Sequence, residues 1–391
     1  KQIYTLINSV SSEVLGKTDL VHEDLTGIVD LGNEVFNQNA VDNYVKSLVN
    51  HIGKVVFVNR PYSGKVPSVL MDAWEFGSVL EKISADVPQA EENDTWNLTD
   101  GTEYKQDVFH KPTVSAKFFN SKVTFEVPVS ITERQVKESF SSAAQLNGFL
   151  SMIYNAVEKS MTIKTDALVM RTINNMIAET LDADKTAFGF VASTNETVDY
   201  SSASTVRCVN LLKLYNEKTG TQLTPATAIT TPDFIRFAAY IMGLYSDRLQ
   251  TISTLFNVGG KERFTPKDVL HTVLLSDFAA AAKTYLYADT FHEDNVLLPK
   301  AETVASWQAT GKDYAFENVS KIDVKSASGA TVSVSGVLGV MFDRDALGVT
   351  NLDKRVTTNY NAKAEFFNNY YKFDAGYFND TNENFVVFFI A

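Results

Sequence analysis

Residues 147–181 read NGFLSMIYNAVEKSMTIKTDALVMRTINNMIAETL, and the way this stretch folds decides how the rest of the chain is arranged. Leu146, Phe149, Leu150, Ile153 and Val157 lead through Met161 to Leu168, Val169, Ile173, Met176, Ile177 and Leu181, a spacing that keeps an apolar face on a helix. No proline falls between Ser141 and Leu181. At roughly 1.5 Å per residue a continuous helix here would be about 60 Å long, beyond the usual globular helix. Its stripe must therefore lie along an extended surface. A coiled coil is the competing reading, but strict heptads and charged flanking positions are missing.

Working towards the N-terminus, Lys122–Val129 alternates polar residues and proline with Val123, Phe125, Val127 and Val129, which predicts a strand with one buried face. Pro128 places its far end at a sheet edge. Ser130-Ile131-Thr132-Glu133 has the form of a capping box that would start a short helix. Between about Arg60 and Lys111 lies a long polar excursion. From Glu81 to Asp107 it carries eight acids and only two bases, Lys82 and Lys105, a net of -6 and half the -12 of the whole chain. An excursion of that length inside a domain is functional or reaches outward. Before it, Val41, Tyr44, Val45, Leu48, Val49 and Ile52 predict a helix from Asn39 that stops at Gly53, followed by a strand over Val55–Val58. Residues 1–38 read as an arm that leans on something else.

Beyond Asp182 the chain reads as a separate module. Val206, Val209, Leu211, Leu212 and Leu214 suggest a helix stopping at Gly220, with the lone cysteine, Cys208, as one of its apolar residues. Thr231-Pro232 opens another helix through Phe234, Phe237, Ala238, Ile241 and Leu244. Gly259-Gly260 marks a turn, Val269–Leu275 a buried strand, and Ser276-Asp277 the cap of an alanine-rich helix. β-type residues return from Ile322 to Val334, broken at Gly329. Val337–Gly348 has the shape strand, charged turn, short helix, and two aromatic-rich strands close the chain, roughly Lys363–Lys372 and Asn384–Ile390. The last run, Phe385-Val386-Val387-Phe388-Phe389-Ile390, is an aggregation hazard if exposed, so it is expected to pair inside a sheet against the long helix with both faces covered.

With 47 acidic against 35 basic side chains among 391 residues, the chain shows no basic patch of the kind a nucleic-acid reader carries. No apolar run approaches the roughly 18 residues of a membrane span. The chain begins at Lys1, and nothing near it has the form of a secretory core; the single cysteine excludes an intrachain disulfide. Asn-x-Ser/Thr triplets at Asn93, Asn97, Asn195, Asn318 and Asn379 reflect abundant Asn, Ser and Thr.

Chemistry-bearing patterns are sparse. There is no phosphate-binding glycine loop and no nucleophile elbow. His22, His51, His110, His271 and His292 lie far apart without metal-type spacing, and the acidic excursion lacks the spacing of a calcium loop. Asp343-Arg344-Asp345 concentrates charge in an apolar setting. A catalytic carboxylate pair is one reading; an exposed turn in which Asp345 caps a helix and Arg344 pairs with a carboxylate is preferred.

The order of these elements, an arm, an acidic excursion, one very long helix, an α/β module and closing strands, resembles the major capsid proteins of tailed bacteriophages, the Hong Kong 97-type fold, and in particular podovirus head proteins. DNYVKSLVNHIGKVVFVNR resembles their helix and strand before the extended loop. The quoted long stretch resembles their spine helix. SGVLGVMFDRDALGV, NNYYKF and FVVFFIA resemble their closing strands. The resemblance implies an α+β fold divided into an N-terminal arm (1–38), a peripheral domain (39–59 and 112–182), an extended loop (60–111), an axial domain (183–336) and closing strands of the peripheral domain (337–391). It also implies a structural protein without a catalytic, cofactor or metal site. The protein would assemble with itself into hexamers and pentamers of an icosahedral head around double-stranded DNA. Scaffolding, portal and head-decoration proteins are further candidate partners, DNA is touched only non-specifically, and no membrane is involved. The location implied is the virion capsid, assembled in the host bacterial cytoplasm. A surface or adhesive β-rich protein and a carboxylate-dependent enzyme are the alternatives.

Overall fold

In the computed structural model, residues 2–16, 43, 47, 66–71, 80–88, 90–104, 109–132, 143–191, 197–287, 301–308 and 313–391 are described. The long stretch forms one α-helix of 41 residues, Ala143–Ala183. Threonine is a poor helix former because its branched hydroxyl competes for backbone partners. Here the conflict is resolved locally: the buried hydroxyls of Thr165, Thr172 and Thr180 donate to the carbonyls of Met161, Leu168 and Met176 at 3.0, 2.8 and 2.8 Å. The helix serves two cores in turn. Ile153, Val157 and Met161 pack with Ile131, Tyr371 and Phe373, while Leu168 to Leu181 pack into a second and larger cluster.

The strands, in chain order, are β1 (Leu70–Met71), β2 (Leu80–Ala85), β3 (Val114–Phe119), β4 (Lys122–Thr132), β5 (Cys208–Asn210), β6 (Leu270–Leu275), β7 (Ala301–Val304), β8 (Ile322–Lys325), β9 (Thr331–Val334), β10 (Val337–Asp343), β11 (Leu347–Asn361), β12 (Phe366–Asn379) and β13 (Phe385–Phe389). One sheet runs β1-β11-β12-β4 and a second β5-β13-β10-β6-β7; β2-β3 and β8-β9 are two-stranded ribbons. In the first sheet β4 lies at the edge, as Pro128 requires, and Phe125 meets Phe373 across the pair with ring centroids 5.0 Å apart.

The closing run lies inside the second sheet. β13 pairs antiparallel with β10 and parallel with β5, and all five of its residues are buried. Its side chains alternate between two cores. Phe385, Val387 and Phe389 join Ile173, Met176, Ile177 and Leu181 of the long helix; Val386 and Phe388 join Phe234, Ala238 and Met242 of the helix Pro232–Arg248 and Phe278 of the helix Ser276–Tyr287. The sheet is thus covered on both faces, which explains a strand with no polar residue. Full burial of each such side chain stabilises the fold by roughly 1.5–3 kcal/mol. Gly336, in the turn from β9 into β10, has φ +82°, and a Cβ there would overlap the carbonyl oxygen of Ile390.

Several sequence expectations need correction. The short helix expected after Asp345 is instead strand β11, running from Leu347, because Leu347–Asn361 pairs along β12 from Asn379 back to Phe366. The capping box at Ser130 does not form. Ser130, Ile131 and Thr132 continue β4, and the Ser130 hydroxyl bonds across the sheet to Asn368 at 2.6 Å; the helix expected beyond Glu133 lies outside the described residues. Cys208 and Val209 belong to strand β5, Val206 to the exposed loop before it, and the helix is Leu211–Thr219, capped by the Asn210 side chain and ended by Gly220. The first aromatic strand extends to Asn379, well past Lys372. Within the stretch read as an arm, Gln2–Leu15 is helical, with Ile3, Ile7, Val10 and Val14 at helical spacing. Of the helix expected at 39–53 only Asn43 and Ser47 are described, both helical, and the strand at 55–58 lies outside the described residues.

Candidate functional site

The feature that joins the excursion to the body is a cluster of charges at its root. β2 and β3 pair from Leu80↔Phe119 to Ala85↔Val114. A lone two-stranded ribbon is marginal in water, so it needs support from elsewhere. Strand alternation turns Lys82 and Ser84 of β2, and Ser115 and Lys117 of β3, towards the body. There they meet the turn Asp380–Asn384 between β12 and β13. Lys82 Nζ donates to Asp380 Oδ2 at 2.9 Å, Glu383 Oε1 at 2.7 Å and the Asp345 carbonyl at 3.0 Å. Lys117 Nζ donates to the other oxygen of Asp380 at 2.9 Å, and Arg263 Nε reaches Glu383 at 3.3 Å. Further out, Lys261 pairs with Asp86 at 3.0 Å. Lys82, Lys117, Arg263, Asp380 and Glu383 line a cleft of about 130 Å³.

The acceptor turn is itself fixed. The Asp380 N–H donates to the Ala346 carbonyl at 2.7 Å, the Gly259 N–H to that of Thr381 at 2.8 Å, and the Asn382 N–H to Asp380 Oδ1 at 3.1 Å. Burial alone would push the Asp380 carboxyl up. Lys82, Lys117 and the Asn382 N–H outweigh it and hold the group below the usual carboxylate range. Asp380 is therefore an ionised carboxylate gripped by two ammonium groups.

Asp343 and Asp345, the carboxylates singled out from sequence, bond to different partners. Asp343 is buried and accepts from the Thr265 hydroxyl at 2.8 Å and the Asp345 N–H at 2.9 Å. The Asp345 carboxylate faces Arg344 at 3.5 Å in an exposed turn, the expected pairing without the expected helix. His271 stands in β6, stacked on Phe342 with centroids 5.9 Å apart, and burial holds its pKa down. Cys208 is buried, and burial raises its thiol well above the ordinary value. Among the described residues no group of three or more His, Cys, Asp and Glu is placed to hold a metal ion, and no helix is long and apolar enough to cross a membrane.

Sequence reading missed Lys82, Lys117, Arg263, Asp380 and Glu383 as a unit. The available signal was Lys82, a base within an acidic run that shares a strand face with Leu80 and Ser84. Its partners lie some 300 positions away, beyond the reach of a local pattern.

A family model described as Phi29-like phage major capsid protein matches residues 6–389. Comparison with curated protein sequences found no match. Among solved structures, the chain is similar to a capsid structure of Staphylococcus phage Andhra, with 8% identity over 85% of this chain and 86% of that one and a TM-score of 0.52. A capsid structure of the cyanophage P-SCSP1u aligns over 86% and 90% of the two chains at 11% identity and a TM-score of 0.45.

Proposed function

The chain belongs to the Phi29-like phage major capsid protein family, and from that premise we propose that it builds an icosahedral head of the Hong Kong 97 type, as hexamers and pentamers, around double-stranded DNA. It is a structural subunit of a phage capsid; the mixed α+β fold shared with the Andhra phage capsid structure agrees with this. The observation that carries the reading is the family match across nearly the whole chain.

In this proposal residues 1–38 are an arm, 60–111 an extended loop, 39–59 with 112–182 and 337–391 a peripheral domain built on the long helix, and 183–336 an axial domain. The excursion lies over a neighbouring subunit. Its exposed acids Glu91, Glu92, Asp100 and Glu103 face Lys or Arg side chains there. The chain's role is mechanical rather than catalytic: many weak contacts repeated by closed symmetry hold the shell. Scaffolding, portal and decoration proteins are its other partners, and assembly takes place in the host cytoplasm before the subunit joins the virion. A net charge of -12 keeps the wall from gripping the genome, so shells would release DNA at low salt; strong retention would contradict that point.

Expression followed by negative-stain microscopy tests the reading. Hexamers, pentamers or closed shells are expected. A subunit that stays monomeric at high concentration, with scaffold present, would overturn it.

A further inference from the structure

The ribbon β2-β3 is inside out over most of its length. Beyond the Leu80↔Phe119 pair at one end, its body-facing side carries Lys82, Ser84, Ser115 and Lys117, whereas the opposite side carries Ile83, Ala85, Val114, Ala116 and Phe118, with Glu81 as the single charge. Cross-strand register places Glu81 opposite Phe118, Ile83 opposite Ala116 and Ala85 opposite Val114, so the five apolar side chains form one continuous face. Ile83, Val114 and Phe118 are 66%, 58% and 63% exposed. A half-buried strand normally turns its apolar side inward, since exposing it forfeits about 25 cal/mol per Å². Here the inward side is committed to the ion pairs of Lys82 and Lys117 with Asp380, which leaves the apolar side as the one that needs a cover.

We infer that the outward face of this ribbon is a dry contact with a second copy of the chain, centred on Ile83 and Phe118. The inference rests on the reading of the chain as a self-assembling capsid subunit and specifies which face of the excursion carries the apolar part of the contact. A second copy is the occupant that the chain's own chemistry favours. Ile252, Leu255 and Phe264 are likewise exposed on the loop whose Lys261 pairs with Asp86, so each copy offers apolar surface of the matching kind. The excursion's acids would not suit a nucleic acid or an anionic membrane. Because the contact is apolar, it persists at salt concentrations that screen exposed ion pairs.

Two variants test it on the full chain. Phe118→Lys changes an exposed side chain, so the subunit's unfolding midpoint stays unchanged while the yield of shells falls by at least about tenfold relative to wild type. Phe118→Cys reports directly on coverage, because Cys208, the only native thiol, is buried and silent towards maleimide in the folded subunit. The introduced thiol is expected to react rapidly in dissociated subunits and at least about tenfold more slowly in particles made of this chain alone. Equal labelling in both forms, or wild-type shell yield from Phe118→Lys, overturns the inference while leaving the capsid reading intact. Failure of wild type to form particles even with scaffold present overturns the reading beneath it.

Discussion

The closing strand β13 and the ribbon β2-β3 are both short and both rich in apolar residues, yet they place them in opposite ways. β13 buries every side chain between two helical layers, and the ribbon turns its lysines to the body and leaves its apolar face outside. The contrast separates two kinds of stability within one chain. Contacts around β13 hold the subunit together, and contacts outside the ribbon hold subunits to one another. A capsid protein needs both, and it needs the second set silent until a neighbour arrives.

The comparison can be broken most severely at β13. Removing residues 385–391 takes an interior strand out of the five-stranded sheet, leaves β10 and β5 without their shared partner, and should yield insoluble protein rather than a smaller working subunit. Phe388→Ala, which empties a site against Tyr245 and Met242, should cost about 3–5 kcal/mol in urea unfolding. Retention of a wild-type midpoint would show that the sheet is not the core.

Next in size are the turn into β10 and the junction between ribbon and body, where Lys82 and Lys117 meet Asp380. Gly336→Ala forces a Cβ onto the Ile390 carbonyl at positive φ and should destabilise by about 1–3 kcal/mol. Asp380→Asn removes the charge that Lys82 and Lys117 share and should cost about 1–3 kcal/mol. The pH dependence has a definite sign. The folded Asp380 carboxyl lies below its ordinary value of 3.8, so its contribution is complete above that value and is lost as pH falls through the lower folded value. Asp380→Asn should flatten that part of the acid limb, and an unchanged limb would remove Asp380 from the account.

The smallest effect on folding, and a large one on assembly, is expected at the excursion. Phe118→Lys should alter subunit stability by no more than about 0.5 kcal/mol. Reversing Glu91, Glu92, Asp100 and Glu103 to Lys should likewise leave the subunit folded but impair shell formation; an unaffected shell yield would refute a role for these acids.

Much of this division was legible in the sequence wherever periodicity was long or unmixed. The 41-residue helix, the alternating strand at Val123–Val129, the helix opened by Thr231-Pro232 and the fully apolar closing strand each carried their own signal. Errors arose where a polar strand imitated something else. β11 opens with Leu347-Gly348-Val349-Thr350 directly after a charged turn, and its outer half, Asp353–Asn361, is too polar to show a buried face; only its pairing with β12 makes it a strand. Cys208–Asn210 contributes three residues to a sheet whose other members lie 60 or more positions away, so it merged in the sequence with the helix it precedes. The junction was invisible for the same reason: Lys82 and Asp380 become neighbours only through the fold.

The most direct test is a cryo-EM map of particles assembled from the wild-type chain, read at one ribbon. Ile83 and Phe118 are expected to be covered by another copy while Lys82 still pairs with Asp380 of its own chain. A ribbon whose apolar face stays open to solvent in the assembled shell, or whose Lys82 pairs with Asp380 of a different copy, would contradict the division between contacts that fold the subunit and contacts that join subunits.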